Sequence, residues 1–338
     1  MTEARGGPTT SGFLRQDRGK DGRVLVTGAS GFVGVHLVNA LLAHGVTVRS
    51  GVRSLFSHDK CTGHEQVPFD LTLPETFEKA LAGVDTVVHL AALTHARNAA
   101  EYHQVNAEGT QQLLLAAREA GIKRFVLASS LAARGPSPGP AGKENPESDY
   151  GRSKLMAERH VEAMQDSFET VTLRLAGVYG PGDKAMFPLF RMASQGYFIV
   201  PSRTQLLQPL YIGDAASALL AATRPGQSTG VFEVAEPAAY GWHDVLTFFS
   251  SAVKRRIFPI RVPSGVFTLA GHGAQLAARC QRIRPSFDAR KARDFAVHTW
   301  LTDATAAERT LQWTADTPLV AGLARTAAWY RQEGWLPA

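Results

Sequence analysis

One turn near the start of the chain constrains its fold more than any other feature. Residues 23–34 read RVLVTGASGFVG, an apolar strand pattern that leads into Gly28, Gly31 and Gly34, and an amphipathic helix pattern follows over residues 32–44. Glycines at this spacing allow a sharp turn and let backbone N–H groups approach a diphosphate at the positive end of a helix. A strand, this turn and a helix predict a nucleotide-binding unit, and a plain tight turn is the alternative.

The alternation of short apolar strands with helical patterns continues through the first half of the chain. Further helices are predicted at 75–82, 105–120 and 150–165, and strands at VTVRSGV, QVPFD, DTVVHLAA, RFVLASS and TVTLRLAG. Such regular alternation indicates right-handed crossovers and a parallel sheet covered on both faces. The predicted fold class is therefore α/β, a Rossmann-type doubly wound parallel sheet with a smaller, mainly helical C-terminal substrate domain.

The alternation ends near residue 179, and the domain boundaries are predicted from that change. The segments LQPLYIGDAASALLAAT and VFEVAE are expected to return to the sheet, whereas the chain from Tyr240 onward is mainly helical. The prediction comprises a flexible tail at 1–20, a dinucleotide-binding domain at 21–178 plus 207–236, and a substrate-binding domain at 179–206 plus 237–338.

The cysteines, the histidines and the first twenty residues limit the classes of protein to which the chain can belong. Cys61 and Cys280 are the two cysteines, too few for a disulfide framework or a four-cysteine zinc site. The first twenty residues are polar and lack the apolar region of a secretory signal, so we expect a protein of the reducing cytoplasm. No metal is predicted, because His89, His95 and His103 have no acidic or thiol residues clustered with them.

Positive charge is concentrated late in the chain. The net charge is +6, and residues 251–300 hold ten Lys or Arg and two Asp, so this stretch carries the whole basic excess. A localised patch at 254–293 favours a phosphate-bearing ligand or an anionic surface over nucleic acid, and a solvated basic face is the alternative.

An apolar helix pattern at 266–283 overlaps this patch and is too short and too interrupted to span a membrane. It is expected to line a hydrophobic pocket, to touch a membrane surface or to pack internally. Of these three expectations, contact with a membrane surface is the less favoured.

The second and third strands end in residues that bear on the cofactor. A carboxylate after the second strand would bind a ribose 2′-hydroxyl and favour NAD, but this chain has Arg53 there, which pairs with a 2′-phosphate. NADP is therefore favoured over NAD, and simple solvation of the strand end is the alternative. Asp70 ends the third strand, where it meets an adenine amino group or caps the following helix. Ala91 and Ala92 end the fourth strand with small side chains that leave room for a cofactor.

A tyrosine and a lysine provide the main catalytic signal. Tyr150 and Lys154 lie one helical turn apart on the same face of a predicted helix. An ammonium group there favours the phenolate and lowers the tyrosine pKa toward working pH. Ser129 and Ser130 end the preceding strand at the cofactor cleft, where a hydroxyl binds a substrate carbonyl or caps a helix.

Together these segments resemble the extended short-chain dehydrogenase/reductase family. TGASGFVG is similar to the TGxxGxxG turn of that family and DYGRSKLMAE to its YxxxK helix. HLAA, VNAEGT with Asn106, VYGPGD and YIGDAASAL match further family segments in the expected order. The resemblance covers about residues 23–235 closely and the remainder loosely.

The resemblance implies a catalytic triad of Ser130, Tyr150 and Lys154. Tyr150 would be the general acid and base, Ser130 would polarise the C–O group, and Lys154 would lower the tyrosine pKa and hold the nicotinamide ribose. The family interval to Gly135 selects Ser130 over Ser129. The predicted cofactor contacts are Gly28, Ser30, Gly31, Phe32, Val33, Gly34, Arg53, Asp70, Leu71, Leu90, Ala91, Ala92, Tyr150 and Lys154. By analogy, a homodimer through the helices near 105–120 and 150–165 is also implied.

Two positions depart from the pattern of nucleotide-sugar enzymes in this family. Gly177 occupies the place of an Asn that contacts the nucleotide sugar in those enzymes, and Leu175 replaces the usual Pro. Gly177 thus weakens the nucleotide-sugar interpretation. The apolar C-terminal helix pattern with its basic end, followed by the closing TAAWYRQEGWL, is similar to the branch of 3β-hydroxysteroid dehydrogenase-like and other alcohol or ketone reductases.

Three functions remain open at this point. The preferred hypothesis is an NADP-dependent oxidoreductase that interconverts a secondary alcohol and a ketone on a hydrophobic small molecule. The alternative is a nucleotide-sugar epimerase or dehydratase with tightly bound NAD(P), which the basic patch favours because a diphosphate needs arginine partners. A non-enzymatic relative is the third, and the Ser, Tyr and Lys residues argue against it.

Overall fold

A computed structural model describes residues 22–55, 64–137, 144–202, 205–226, 229–263, 265–267, 269 and 299–337. The predicted tail at 1–20, both cysteines and most of the helix predicted at 266–283 lie outside these residues.

The described strands and helices alternate in the order that the sequence predicts. The strands are β1 (Val24–Thr27), β2 (Val48–Val52), β3 (Glu65–Pro68), β4 (Thr86–His89), β5 (Arg124–Ser130), β6 (Glu169–Leu175), β7 (Val178–Tyr179), β8 (Tyr197–Pro201), β9 (Leu206–Leu207), β10 (Leu210–Tyr211), β11 (Gly230–Val234), β12 (Tyr240–Gly241) and β13 (Phe258–Val262). The helices are α1 (Phe32–Ala43), α2 (Phe77–Leu81), α3 (Ala99–Tyr102), α4 (Gly109–Glu119), α5 (Leu131–Arg134), α6 (Asp149–Glu162), α7 (Phe187–Ser194), α8 (Ile212–Ala222), α9 (Trp242–Val253), α10 (Thr305–Leu311) and α11 (Leu319–Gln332).

Seven of the described strands form one parallel sheet. Its order is β11-β6-β5-β4-β1-β2-β3, and each neighbouring pair is parallel. The chain runs outward in one direction from β1 through β2 and β3, and in the other direction from β4 onward. The carboxyl ends of β1 and β4 therefore border the crevice at which a doubly wound sheet binds its ligand. This order confirms the predicted Rossmann-type α/β fold.

Helices cover both faces of the sheet, which explains why the central strands β1 and β4 are buried along their whole length. One face packs against α1, α8 and α10 in a cluster that includes Leu37 and Leu219. The other face packs against α2, α4 and α6 around Phe125. A third apolar cluster holds α7, α9 and α11 together beyond the carboxyl ends of the strands, around Phe190 and Tyr330.

Two local predictions differ from the structure. The strand expected in LQPLYIGDAASALLAAT does not join the main sheet, because β10 pairs with β7 in a separate two-stranded sheet, whereas β11 pairs with β6 as expected. The helix predicted from residue 105 begins at Ala99 and includes a π-helical turn at His103–Glu108. The hydrogen bonds of that turn span five residues and widen the helix, which breaks the 3.6-residue pattern from which the helix start is predicted.

The packing of α11 on β7 leaves no space at one position. A Cβ at Gly322 would lie 2.0 Å from the Tyr179 hydroxyl oxygen and 2.8 Å from Cζ of that ring. The Tyr179 ring is buried, and its hydroxyl has no hydrogen-bond partner among the described residues.

We expect Gly322→Ala to lower the free energy of unfolding by about 1–3 kcal/mol, because the added methyl group overpacks a buried contact. The measurement is the midpoint of urea unfolding. Tyr179→Phe removes the hydroxyl oxygen that lies nearest to this Cβ. In that background Gly322→Ala is therefore expected to lower the free energy of unfolding by less. An equal cost in both backgrounds would show that the Tyr179 hydroxyl does not set the limit at Gly322.

Candidate active site

The turn between β1 and α1 lies directly against the end of β4. Gly28 has a φ of +68°, and a Cβ there would lie 2.8 Å from the Ala91 nitrogen. A Cβ at Gly34 would lie 2.3 Å from the Gly28 oxygen, which also accepts a hydrogen bond from the Gly31 nitrogen at 2.9 Å. Side chains are therefore excluded at Gly28 and Gly34, and the backbone itself forms the surface of the crevice.

The start of α1 fits a dinucleotide diphosphate. Gly31 is the N-cap and α1 continues for twelve residues, so the amides of Phe32 and Val33 in its first turn have no carbonyl partner within the helix. Ser30 and Gly31 are exposed, while Phe32 and Val33 are half-buried. The free amides and the positive end of the helix dipole together favour an anionic group at this point.

The other predicted cofactor contacts line the same ends of the strands. Arg53 is exposed immediately after β2. Leu90 and Ala92 are half-buried after β4, and the Leu90 nitrogen donates to the Thr27 oxygen at 3.2 Å. Leu71 is buried beneath the π-helical turn region, where a Cβ at Gly109 would lie 2.7 Å from its Cδ2.

Asp70 has a local structural role. Its Oδ1 accepts hydrogen bonds from the Thr72 nitrogen at 2.9 Å and from the Thr72 hydroxyl at 2.7 Å. Asp70 thus closes a local turn and does not cap the following helix, the alternative that the sequence offers, because the N-cap of that short helix is Leu73. The contact of Asp70 with an adenine stays a prediction.

A buried histidine connects the first strands of the sheet with α4. His89 Nδ1 lies 2.8 Å from the Thr27 hydroxyl, and its Nε2 lies 3.0 Å from the Thr110 hydroxyl. Burial, assisted by the charge of Lys154, lowers the pKa of His89 to about 3, so the ring is neutral at ordinary pH. Its role is in the core, which is the interpretation that the sequence favours.

The other two histidines near the cleft lie in polar surface contacts. His95 Nδ1 is 3.0 Å from the hydroxyl of its neighbour Thr94, and His103 Nε2 is 3.5 Å from Glu108 Oε1. In the described part of the chain, no group of three or more His, Cys, Asp or Glu residues is placed to hold a metal ion.

The first turns of α6 carry the predicted tyrosine and lysine. The Ser148 hydroxyl caps this helix by accepting from the Gly151 nitrogen at 2.9 Å, which holds Tyr150 in the first turn. The Tyr150 ring lies edge-to-face with Tyr102 at 5.9 Å between centroids. Lys154 is buried, and its Nζ donates to the Ala128 oxygen of β5 at 2.7 Å.

Burial lowers the pKa of Lys154 to about 8, an effect that the nearby Glu158 carboxylate partly offsets. The ammonium form therefore predominates below pH 8 and is lost more readily than on an exposed lysine. The Lys154 ammonium thus lies against β5 at Ala128, two residues before Ser130.

The two serines at the end of β5 have different environments. Ser129 is buried and its hydroxyl donates to Glu158 in a short hydrogen bond. Ser130 is half-buried, and its hydroxyl oxygen caps α5 by accepting from the Ala132 nitrogen at 3.2 Å. Because side chains alternate along a strand, the two hydroxyls point to opposite faces. Ser129 thus belongs to an internal network, and Ser130 retains a hydroxyl hydrogen to donate.

Asn106 is a polar residue of the candidate site for which the sequence predicts no role. Its side chain accepts from the Leu93 nitrogen at 2.7 Å and donates to the Leu93 oxygen at 3.0 Å and the Ser153 hydroxyl at 3.1 Å. It lies in the π-helical turn, a feature frequent at functional sites. Asn106 therefore ties the loop after β4 to α6, next to Lys154. The resemblance of its VNAEGT segment to the family is the sequence signal that could have identified Asn106.

Gly177 leaves open space between β6 and β7. A Cβ at this position would meet no atom of the described residues within 4 Å, and the Gly177 oxygen accepts from the Leu210 nitrogen at 3.0 Å. Packing among the described residues therefore does not require glycine at position 177.

The basic patch is described in part. Lys254, Arg255, Arg256 and Arg261 are exposed in the structure, while the patch residues at 279–293 lie outside the described residues. None of the helices in the described ranges is long and apolar enough to cross a membrane.

Comparison with known proteins gives a consistent set of relatives. A model of the NAD-dependent epimerase/dehydratase family matches residues 24–235. The chain is 31% identical over 321 residues to a ceramide reductase of Caulobacter vibrioides, covering 94% of this chain and 96% of that protein. It is 37% identical over 196 residues to a UDP-glucose 4-epimerase of Vibrio cholerae, covering 53% and 59%. Among solved structures, MoeE5 in complex with UDP-glucose and NAD has a TM-score of 0.74 and 27% identity, covering 92% of this chain and 99% of that one.

Lys154 makes the stability of the cofactor-free protein depend on pH. Its pKa is about 8 in the fold, below its ordinary value of 10.5, so between these values the unfolded chain holds more protons. Stability is therefore expected to rise with pH over this window by roughly 1–3 kcal/mol, since one pKa unit corresponds to about 1.4 kcal/mol. Lys154→Met should lack this rise relative to the wild type.

The measurement is urea unfolding at several pH values between 7.5 and 10. Lys79→Met, a change at an exposed lysine on α2, is the control and should keep the wild-type slope. Parallel curves for wild type and Lys154→Met would contradict the assigned burial of the ammonium.

Proposed function

The chain belongs to the NAD-dependent epimerase/dehydratase family, and from that premise we propose that it is an NADP-dependent oxidoreductase that interconverts a secondary alcohol and a ketone on a hydrophobic small molecule. The extent of the similarity carries this proposal. The match to a ceramide reductase extends over 94% of the chain and so includes the C-terminal part, whereas the match to a UDP-glucose 4-epimerase extends over 53%. In this fold the C-terminal part lies beyond the strand ends and selects the substrate.

Gly177 supports a substrate other than a nucleotide sugar. By the family resemblance, nucleotide-sugar enzymes place an Asn side chain here to contact the sugar nucleotide. This chain offers no side chain at that position, and no atom of the described residues lies within 4 Å of where a Cβ would be. An open, less polar position suits a bulky apolar substrate better than a diphosphate sugar.

The cofactor proposal rests on two features. The backbone cradle of Gly28 and Gly34 with the first amides of α1 fits a dinucleotide diphosphate. Arg53 is exposed after β2, where its guanidinium can form a bidentate pair with a ribose 2′-phosphate. This is the reason for proposing NADP in preference to NAD.

The proposed chemistry divides between cofactor and chain. When bound, the nicotinamide supplies or accepts the hydride at the substrate carbon. In the direction of reduction, the Tyr150 hydroxyl gives its proton to the carbonyl oxygen, so that the carbon gains a hydride and the oxygen a proton. The Ser130 hydroxyl donates a hydrogen bond to the same oxygen and orients it. Lys154 stabilises the resulting Tyr150 phenolate with its ammonium group.

A nucleotide-sugar epimerase or dehydratase is the second candidate, because MoeE5 with bound UDP-glucose matches almost the whole chain at 27% identity. In that reaction the hydride leaves and returns within one turnover, so no net change in nicotinamide occurs. The two candidates therefore differ in an observable quantity.

The proposed partners are a small-molecule substrate and a second copy of the chain. A homodimer through the helices near 105–120 and 150–165 follows by analogy with the family and stays a prediction.

The proposed reaction predicts net consumption of NADPH with long-chain or steroid ketones, followed by absorbance at the nicotinamide band. Tyr150→Phe is expected to lower kcat by about 10²–10⁴-fold because it removes the proton donor. The Kd for NADP should stay within about twofold of the wild-type value, because the ring is kept. Conversion of UDP-sugars without net nicotinamide change, together with no turnover of any ketone, would instead establish the second candidate.

Arg53→Ala tests the cofactor preference separately. We expect the Kd for NADP to rise by about tenfold or more, since a hydrogen bond to a charged group contributes about 1.5–3 kcal/mol, while the Kd for NAD changes little. Arg53→Lys keeps the charge without the bidentate geometry and should fall between the two. Calorimetric titration of the three proteins with both cofactors measures this. An equal increase in the Kd for NAD and for NADP would show that Arg53 only solvates the end of the strand.

A further inference from the structure

One exposed face of the C-terminal part combines apolar side chains with uncompensated positive charge. Strand β13 pairs in parallel with β8, and in this register Phe258 lies beside Tyr197 and Ile260 beside Ile199. Phe258 is 74% exposed and Ile260 is 45% exposed. We name the outer surface of this two-stranded sheet, with the exposed cations Lys254, Arg255 and Arg256 that precede β13, the β8–β13 face.

The alternation of side chains explains why this face is apolar outward. Phe198 and Val200 of β8 point inward and are buried in the cluster with α7, α9 and α11. Their strand neighbours Tyr197 and Ile199 therefore point outward, together with their registered partners on β13. A solvated sheet face ordinarily carries polar residues at these positions, so two aromatic and two aliphatic outward neighbours indicate a surface that contacts something apolar.

The charge around the face has one sign. The chain contains no Asp or Glu between Asp183 and Asp214, which includes β8, and none between Asp244 and Asp288, which includes β13. Among the described residues, the three cations of the face take part in no ion pair. An anionic partner would therefore meet no acidic residue supplied by either strand.

A cavity at the edge of the face adds a further cation. Its volume is about 610 Å³, and it is lined by Phe187 and Arg191 of α7, by Arg255 and by Trp335. Arg255 precedes β13 directly, and its Nε would lie 3.0 Å from a Cβ at Gly196. The cavity thus places two guanidinium groups between aromatic walls beside the exposed strand.

We propose that the β8–β13 face docks on the surface of a membrane that contains anionic phospholipid. Aromatic and aliphatic side chains ringed by arginine and lysine are the composition of an interfacial membrane contact, in which the apolar groups enter the headgroup region and the cations meet lipid phosphates. Charge complementarity selects this partner, because a second copy of the same basic face would bring like charges together. The proposal concerns attachment and holds whichever reaction the cleft performs.

Vesicle sedimentation with the full chain, without substrate or cofactor, tests the proposal. Wild type is expected to bind vesicles of phosphatidylcholine with phosphatidylglycerol, to bind those of phosphatidylcholine alone at least about tenfold more weakly, and to be released by salt. Phe258→Ser/Ile260→Ser and Lys254→Glu/Arg256→Glu are each expected to weaken binding by about tenfold or more. All these positions are exposed, so folding should be retained, and circular dichroism checks this.

Matched changes at exposed positions away from the face are the controls. Val231→Ser removes an exposed aliphatic side chain from β11, and Lys79→Glu/Arg224→Glu reverses two exposed charges. Both controls should bind vesicles as the wild type does. Absence of wild-type binding at every lipid composition, or equal binding by face and control variants, would overturn the proposal. So would a wild-type dimer that Phe258→Ser/Ile260→Ser converts to a monomer while vesicle binding is unchanged.

Discussion

The close approach of Gly28 to the end of β4 is the contact on which the rest of the site depends. A Cβ at Gly28 would lie 2.8 Å from the Ala91 nitrogen, and one at Gly34 would lie 2.3 Å from the Gly28 oxygen. Because no side chain separates these backbones, α1 can begin immediately at the crevice between the two central strands. The amides at its start, the open ends of β2 and β4 and the packing of α8 on α1 all follow from this approach.

The proposed catalytic residues depend on a second constraint, the anchoring of α6 to the sheet. Arg174 of β6 donates to Glu158 of α6 at 2.6 Å and to Glu144 at 3.0 Å, and Ser129 of β5 also donates to Glu158. Breaking a buried pair such as this is costly because it leaves an uncompensated charge. Five residues earlier on the same helix, the Asn106 side chain donates to the Ser153 hydroxyl. The helix that carries Tyr150 and Lys154 is thus anchored at two points, which suits groups proposed to keep a fixed geometry during proton transfer.

Burial of these groups has consequences for their chemistry. His89 and Lys154 lie in the same dry region behind the crevice, and burial lowers the pKa of both, to about 3 and about 8. The imidazole is therefore neutral at ordinary pH, whereas the Lys154 ammonium keeps its charge below about pH 8 with the Glu158 carboxylate nearby.

The predicted elements agree with the structure where apolar periodicity and tertiary packing act together. β5 is predicted as RFVLASS and observed at Arg124–Ser130, because a central parallel strand is buried on both faces. The start of the helix at Ala99 and the separate pairing of β10 with β7 were missed. The first depends on a π-helical turn that breaks the helical repeat, and the second on a two-residue strand, too short to carry a pattern.

The sequence by itself determined the fold class, the glycine turn and the Tyr150–Lys154 pair, because each depends on local spacing along one strand or helix. Only the tertiary structure decided which of two adjacent serines enters a buried network, since that depends on Glu158 and Arg174 arriving from other elements. The same holds for the role of Asn106, for the neutral state of His89, and for the apolar outward side of β8 and β13. These properties arise from contacts between residues far apart in the chain, and burial, which sets their energies, exists only once those contacts have formed.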